Sequence, residues 1–272
     1  MTEPAPRGVN PYTPNAARMY DYFLGGKDNF KADRALAALV EGVFPEVREG
    51  ARQNRKLIGR VVEYLCRQGV TQFLDLGSGL PARENVHEVA QRFRPEAQVV
   101  YVDNDPVVAT HGRALLADPR RVAMVLADGR EPEKVLGHPD VRAVLDLDRP
   151  VAVLMMFFLH LVPDEDEPHR FVAAYRQALA PGSYLAISHV GTDAEPERLA
   201  RVSAFYQRAN LPFCPRPGIE IGRFFGDFEL VEPGLANGLG PEVGWPFADP
   251  EDARFIDKEL ARMGYAGIGR KP

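Results

Sequence analysis

The sequence is poor in cysteine and tryptophan, with Cys66, Cys214 and Trp245 the only such residues among 272. Two isolated thiols make neither a disulfide framework nor a metal-spaced pair, so a reducing cytoplasm is the expected compartment. The six histidines are scattered, with no H-E-x-x-H or C-x-x-C pattern, and no metal is expected. Long apolar runs are missing as well. The most apolar stretch, 151–162, is too short to span a bilayer, and residues 1–8 carry prolines and charges where a secretory signal would need an apolar segment. Positive charge is not in excess: 33 Lys and Arg stand against 38 Asp and Glu, a net charge of -5. That balance argues against a nucleic-acid backbone as the main partner. The remainder, 45% hydrophobic and 26% charged, is that of a globular chain long enough to bury a large core.

What is present centres on 72–83, QFLDLGSGLPAR. Phe73, Leu74 and Leu76 read as a short buried strand that breaks at Gly77-Ser78-Gly79, with Pro81 predicted to open a helix. Strand, glycine turn and helix form a nucleotide-binding arrangement, because glycine lets a backbone approach a ligand closely and a helix start offers free amides. Gly77, Gly79 and Ala82 satisfy the dinucleotide fingerprint G-x-G-x-x-G/A, which keeps a nicotinamide oxidoreductase in view. Against it stands Asp75, whose carboxylate would repel a pyrophosphate and attract a cation. S-adenosylmethionine (SAM) has the adenosine half of a dinucleotide, no phosphate, and a sulfonium and an ammonium near the turn. It is therefore the favoured ligand.

Before this turn the chain reads as helical, over 15–24, 31–40 and 47–68, the last with Leu57, Ile58, Val61, Val62 and Leu65 on one face. Residues 1–69 are thus expected as an N-terminal helical segment or lid, and 70–272 as a nucleotide-binding domain. The aromatic segment 18–30 can be a helix pinned to the core, or a lid whose tyrosines face a sulfonium and whose Gly25-Gly26 backbone approaches it. After the turn, strands over 72–76, 98–103, 122–127, 151–156 and 184–188 alternate with helices over 85–93, 106–117, 132–136, 168–179 and 195–208. Residues 228–232 and 267–270 are candidates for two last strands. The alternation predicts an α/β fold with a mostly parallel seven-stranded sheet covered on both faces.

Ligand-facing residues then belong at the carboxyl ends of the strands. Asp103, roughly two dozen residues beyond the turn, is where a ribose-binding acid is expected, whereas Asp105 before Pro106 suits a helix cap. Asp128, after the third strand, is a candidate partner for the adenine amino group. Met156 and Phe157 after the fourth strand are candidates for a methyl-transfer pocket, and His160 is a candidate active-site group or a hydrogen-bonded core histidine. Residues 216–228 and 238–255, following the sheet, are candidates to flank an acceptor pocket.

Together these residues resemble the class I SAM-dependent methyltransferases. The chain is similar in particular to a bacterial subfamily marked by Y-D-Y-x-L-G-G-K-x-N-F (here 20–30), G-L-P-x-x-x-N-V-H-E-V-A-Q (79–91), Y-V-D-N-D-P (101–106) and P-D-E-D (163–166). The resemblance spans nearly the whole chain and implies a Rossmann-like methyltransferase fold with an N-terminal helical cap. It implies that Asp75, Gly77, Ser78 and Gly79 contact the methionine part, Asp103 and Asn104 the ribose side, and Asp128 and Gly129 the adenine side. It further implies that Tyr20, Tyr22, Gly25, Gly26 and Asn29 close over the site. Gly129 departs from the pattern, which leads us to expect a larger residue before Arg130. The expected function is methyl transfer from SAM to a small-molecule acceptor, the alternative a SAM-binding sensor or scaffold without turnover.

Overall fold

The central strands have almost no polar residues because both of their faces are covered, the pattern of a parallel sheet between two helical layers. In the computed structural model, which describes residues 9–82, 84–115, 118, 120–239 and 262–272, helices α1 (Ala16–Phe23), α2 (Lys31–Val43) and α3 (Val47–Arg67) precede β1 (Gln72–Leu76). There follow α4 (Val86–Phe93), β2 (Gln98–Asp103), α5 (Pro106–Leu115), β3 (Val122–Leu126), α6 (Pro132–Leu136), α7 (Pro139–Val144) and β4 (Ala152–Met156). Then come α8 (Pro168–Ala178), β5 (Tyr184–Val190), α9 (Pro196–Arg208), α10 (Gly218–Arg223), β6 (Glu229–Leu230), β7 (Ala236–Asn237) and β8 (Gly264–Arg270).

Seven strands lie in the order β3-β2-β1-β4-β5-β8-β6, and the two-residue β7 adds to β8. The first five are parallel, while β8 runs antiparallel to β5 and to β6. The order reverses at β1, which pairs with β2 on one side and β4 on the other. A crevice at the carboxyl ends of the strands beside such a reversal is where open α/β sheets bind ligands.

Alternation along each strand divides the core. Phe73, Val99 and Leu154 pack with Leu57, Val61 and Val89 on the face covered by α3 and α4. Leu74, Val100 and Val153 pack with Val141, Phe171 and Tyr175 on the opposite face. A third apolar cluster stands apart from the sheet, where Met19 and Phe23 of α1, Val40 of α2, and Val202 and Tyr206 of α9 meet.

Several boundaries differ from the sequence reading. No helix opens at Pro81. The next helix begins at Val86, capped by Asn85, whose amide donates to Glu88 Oε2 at 2.7 Å while its Oδ1 accepts the Ala82 amide at 3.1 Å. This cap fixes the start five residues later than a proline at the first position suggests. The short α7 and α10 and strand β7 were not anticipated, being too brief to show a period. Residues 116–117 of the expected helix over 106–117, Arg83, and residues 240–255 with Trp245 lie outside the described residues. Among the described residues no helix is long and apolar enough to cross a membrane.

Candidate functional site

At the reversal, β1 runs out into Gly77 (φ 69°), Ser78 and Gly79 (φ 67°). The left-handed conformation favours glycine at both, and space adds to it at Gly77, where a Cβ would lie 2.5 Å from the Phe158 ring. Gly79 has nothing within 4 Å of where its Cβ would be, so its Cα side is open. The Gly77 amide donates to Val102 O at 2.9 Å, and the Gly79 amide to Asp103 Oδ2 at 2.9 Å. Asp103 Oδ1 accepts the Asp105 amide at 2.9 Å. Two amides thus hold the Asp103 carboxylate on the wall of a cavity of about 480 Å³, a size typical of small-molecule sites.

The cavity brings together Tyr20, Gly77, Ser78, Gly79, Asp103, Asn104, Asp128, Gly129, Met156, Phe157 and His160 of the sequence candidates. Asp75 is not among its lining residues. It is buried behind Ser78 and Gly79, beside Tyr101 and Arg55 in a much smaller recess. Burial pushes its pKa up to about 7, with Arg55 opposing and Asp103 adding to the shift. Burial likewise pushes Asp103 up to about 6, although the amides it accepts pull the other way. With both acids raised, the turn favours a cation that would let them ionise.

Tyr22, Gly25, Gly26 and Asn29 are also absent from the lining. They build a turn around Asp21, whose Oδ2 accepts the Asp28 amide at 3.0 Å and the Asn29 side-chain amide at 2.8 Å. Gly25 ends α1 with φ 83°, a Cβ on Gly26 would collide with the Asp21 carboxylate, and the Arg48 guanidinium covers the Tyr22 ring at 4.4 Å. Sequence nearness to Tyr20 does not carry them to the cavity, because this turn leads away to α2.

Asp128 is engaged by Arg130, which approaches it at 2.6–3.0 Å through Nε and Nη2 and reaches Asp166 through Nη1. Burial alone would raise the Asp128 pKa, but the Arg130 bonds more than offset it and hold it below the ordinary carboxylate value. The small residue at 129 has a steric reason: the Phe158 ring fills the space, with its Cζ 3.1 Å from where a Cβ would be. Gly77 and Gly129 thereby enclose Phe158.

Sequence reasoning missed a polar chain across the middle of the site. The Tyr20 hydroxyl donates to Ala51 O at 2.9 Å and accepts from Asn54 Nδ2 at 3.0 Å. The Ser188 hydroxyl donates to Asn54 Oδ1 at 2.6 Å, and its oxygen accepts the Phe157 amide at 2.9 Å. This chain holds Phe157 in a left-handed conformation (φ 55°) that costs a non-glycine residue about 1–3 kcal/mol. The available signal was Asn54, a polar residue on the apolar face of α3 three positions before Leu57.

Phe157 packs edge-on against Tyr20 (6.3 Å) and His160 (5.1 Å). His160 Nδ1 is buried without a partner, and burial, reinforced by His189 and Arg216, lowers its pKa well below the ordinary histidine value. The ring is therefore neutral near pH 7. Arg216 donates to Leu159 O and Val162 O, each at 2.9 Å, and to Asp164 Oδ1 at 2.6 Å, fixing the turn that carries His160. Of the suspected acceptor stretch 216–228 nothing lines the cavity; the preceding Leu211, Pro212 and Phe213 do.

Arg18 joins the N-terminal helices to this site. Its Nε lies 3.0 Å from Asp33 Oδ2 and its Nη1 3.1 Å from Asp105 Oδ2, all three side chains being buried. Asp105 Oδ1 also accepts the Val107 amide at 2.7 Å, so the expected helix cap doubles as the anchor for α1.

The S-adenosyl methyltransferase family profile matches residues 2–272. A candidate methyltransferase from Thermobifida fusca YX is 45% identical over 98% of each chain, with a TM-score of 0.88. A DUF574 family protein from Streptomyces avermitilis is 38% identical over 96% of this chain and 98% of its own, with a TM-score of 0.90. The plantazolicin methyltransferase BamL shares the fold at a TM-score of 0.54 and 10% identity. No functionally curated protein matches the chain.

Proposed function

Because this chain belongs to the S-adenosyl methyltransferase family, whose methyl donor is SAM, we propose that its cavity binds SAM against the glycine turn and methylates a small-molecule acceptor in the remaining space. Family membership also decides between the two nucleotides that the fingerprint left open, and the absence of a helix start at Pro81 agrees with it, since a diphosphate would have no helix N-terminus at the turn. The observation that carries the reading is the pairing of Gly79, open on its Cα side, with Asp103, held by the Gly79 amide at the cavity wall.

Each residue then takes a role that its position allows. Gly77, Ser78 and Gly79 offer close backbone approach to the methionine part. Asp103 keeps a lone pair on each oxygen for the ribose hydroxyls, with Asn104 beside it. Asp128, oriented by the Arg130 amide and guanidinium, presents its carboxylate edge to an adenine amino group next to Gly129. Asp75 acts through its charge from behind the turn, and Arg55, which lines the cavity and opposes the Asp75 shift, suits the ligand's carboxylate. Tyr20 and Phe157 present aromatic rings, which favour a sulfonium.

Bound SAM supplies a methyl group made electrophilic by its sulfonium. The protein must then align the acceptor at about 3–3.5 Å and keep water out. The fixed Phe157 conformation and the Tyr20–Asn54–Ser188 chain serve that alignment. Neutral His160 can accept a hydrogen bond from an acceptor that must lose a proton. Helices α1–α3 close one side of the cavity, which is the lid role assigned to residues 1–69, over the domain formed by 70–272. The two free thiols suit the cytoplasm.

Calorimetric titration with SAM and with S-adenosylhomocysteine tests the binding step. Micromolar or tighter binding of both, weakened by Asp103→Asn, is the expected result; undetectable binding of both would end the proposal. A methyl-release assay over a metabolite panel then separates an enzyme from a binding protein.

A further inference from the structure

Away from the glycine turn, the cavity extends into the third apolar cluster. There its walls are Val40 of α2 and Phe44 just after it, Val202 and Tyr206 of α9, and Leu211 and Phe213 of the following segment. Charge at this end is already satisfied: Glu46 is paired with Arg198 at 3.0 Å. Two polar side chains break the apolar lining. The Tyr206 side chain is buried, its hydroxyl makes no hydrogen bond among the described residues, and burial raises its pKa. His160 is buried with Nδ1 unpartnered, which leaves its second ring nitrogen as the group that can serve the cavity. The Phe213 ring supports both, stacked on Tyr206 at 4.7 Å and edge-on to His160 at 5.7 Å.

Each hydrogen bond that an occupant completes to one of these two groups adds about 0.5–1.5 kcal/mol. A hydroxyl is the group that fits both neighbours, since it can accept from the Tyr206 O–H and donate to a neutral imidazole nitrogen. Among the described residues a carboxylate would be desolvated here with no unpaired cation beside it, and a protonated amine with no unpaired acid. We propose that this end of the cavity takes an uncharged, largely apolar small molecule whose hydroxyl group is held between Tyr206 and His160 and is the methyl acceptor. This rests on the methyltransferase reading above. The hydroxyl oxygen forms the new carbon–oxygen bond, the methyl carbon–sulfur bond breaks with its electron pair staying on sulfur, and the hydroxyl proton passes to the His160 ring. Positive charge is conserved, leaving sulfur as it arrives on the imidazole.

The test uses the full chain saturated with S-adenosylhomocysteine and four probes: 2-naphthol and 1-decanol, and the matching carboxylates 2-naphthoate and decanoate. Each hydroxyl probe is expected to bind about tenfold or more tighter than its carboxylate counterpart. Tyr206→Phe, which keeps the ring, is expected to weaken the hydroxyl probes by about three- to tenfold while leaving S-adenosylhomocysteine unchanged. Equal or tighter binding of the carboxylates, binding of neither hydroxyl probe, or no loss in Tyr206→Phe would overturn the proposal. Failure of S-adenosylhomocysteine to bind in the same titrations would instead remove the methyltransferase reading beneath it.

Discussion

At the glycine-turn end of the cavity the wall is backbone and carboxylate: Gly77, Gly79, Asp103 and Asp128 sit on consecutive strand ends, each tied by short hydrogen bonds. At the far end the wall is side chain, contributed by helices α2 and α9 that lie far apart in sequence. The first end is rigid and polar and places a ligand by hydrogen bonds. The second is apolar and depends on how α2 and α9 pack, so it sets which molecule fits. One half of such a site can therefore change with the acceptor while the other stays fixed to the cofactor.

Arg18 is where the comparison is most easily broken, because it joins the helices of the far end to the β2 exit. Arg18→Ala leaves Asp33 and Asp105 buried without their cation, and a loss of about 3–5 kcal/mol in urea unfolding is expected. A loss under about 1 kcal/mol would mean that the two ends are not mechanically joined through this residue.

Asp75 sharpens the electrostatic side. Its folded pKa, about 7, lies above the ordinary carboxylate value of 3.8, so its contribution to stability is fully present below that value and is lost as pH rises through about 7. Asp75→Asn removes that loss. The ligand-free variant is expected to be more stable than the parent at pH 8, by on the order of 2–4 kcal/mol, with the difference vanishing near pH 4. Denaturation curves at the two pH values check this, and a variant less stable at pH 8 would contradict it.

Smaller effects test whether the ends are independent. Asp103→Asn is expected to weaken S-adenosylhomocysteine by about ten- to a hundredfold, the range of a charge-assisted hydrogen bond. Smallest of all, Phe213→Leu at the far end is expected to leave that affinity within about twofold. Calorimetry on both variants gives the answer, and similar losses in the two would erase the distinction drawn between the ends.

The same division explains what the sequence made legible. The glycine turn and the acids after β2 and β3 are local signals, each fixed to its own strand, and the parallel pairing of the central strands follows from βα alternation. Tyr206 and Phe44 carry no comparable signal, since on a helix they read as ordinary core positions and meet only through tertiary packing. Gly129 looked like a departure because its neighbour in space, Phe158, is not its neighbour in sequence. Tyr22, Gly25, Gly26 and Asn29 share a motif with Tyr20, but the motif specifies the Asp21 turn as well as the cavity wall. Asp75 was expected at the ligand from its charge, its place before the glycines and the family resemblance. Its side chain lines the small recess behind Ser78 and Gly79 and not the large cavity.

The central claim is that acids beneath the glycine turn are kept charged by a cationic ligand. Titrating the protein with SAM at pH 7 in phosphate and in Tris, whose ionisation enthalpies differ, counts the protons exchanged on binding. The account predicts that the parent releases more protons per SAM than Asp75→Asn does, because burial raises the Asp75 pKa to about 7, so that the free carboxyl is partly protonated at pH 7 and ionises when the cation binds. Identical proton counts in the two proteins would contradict it.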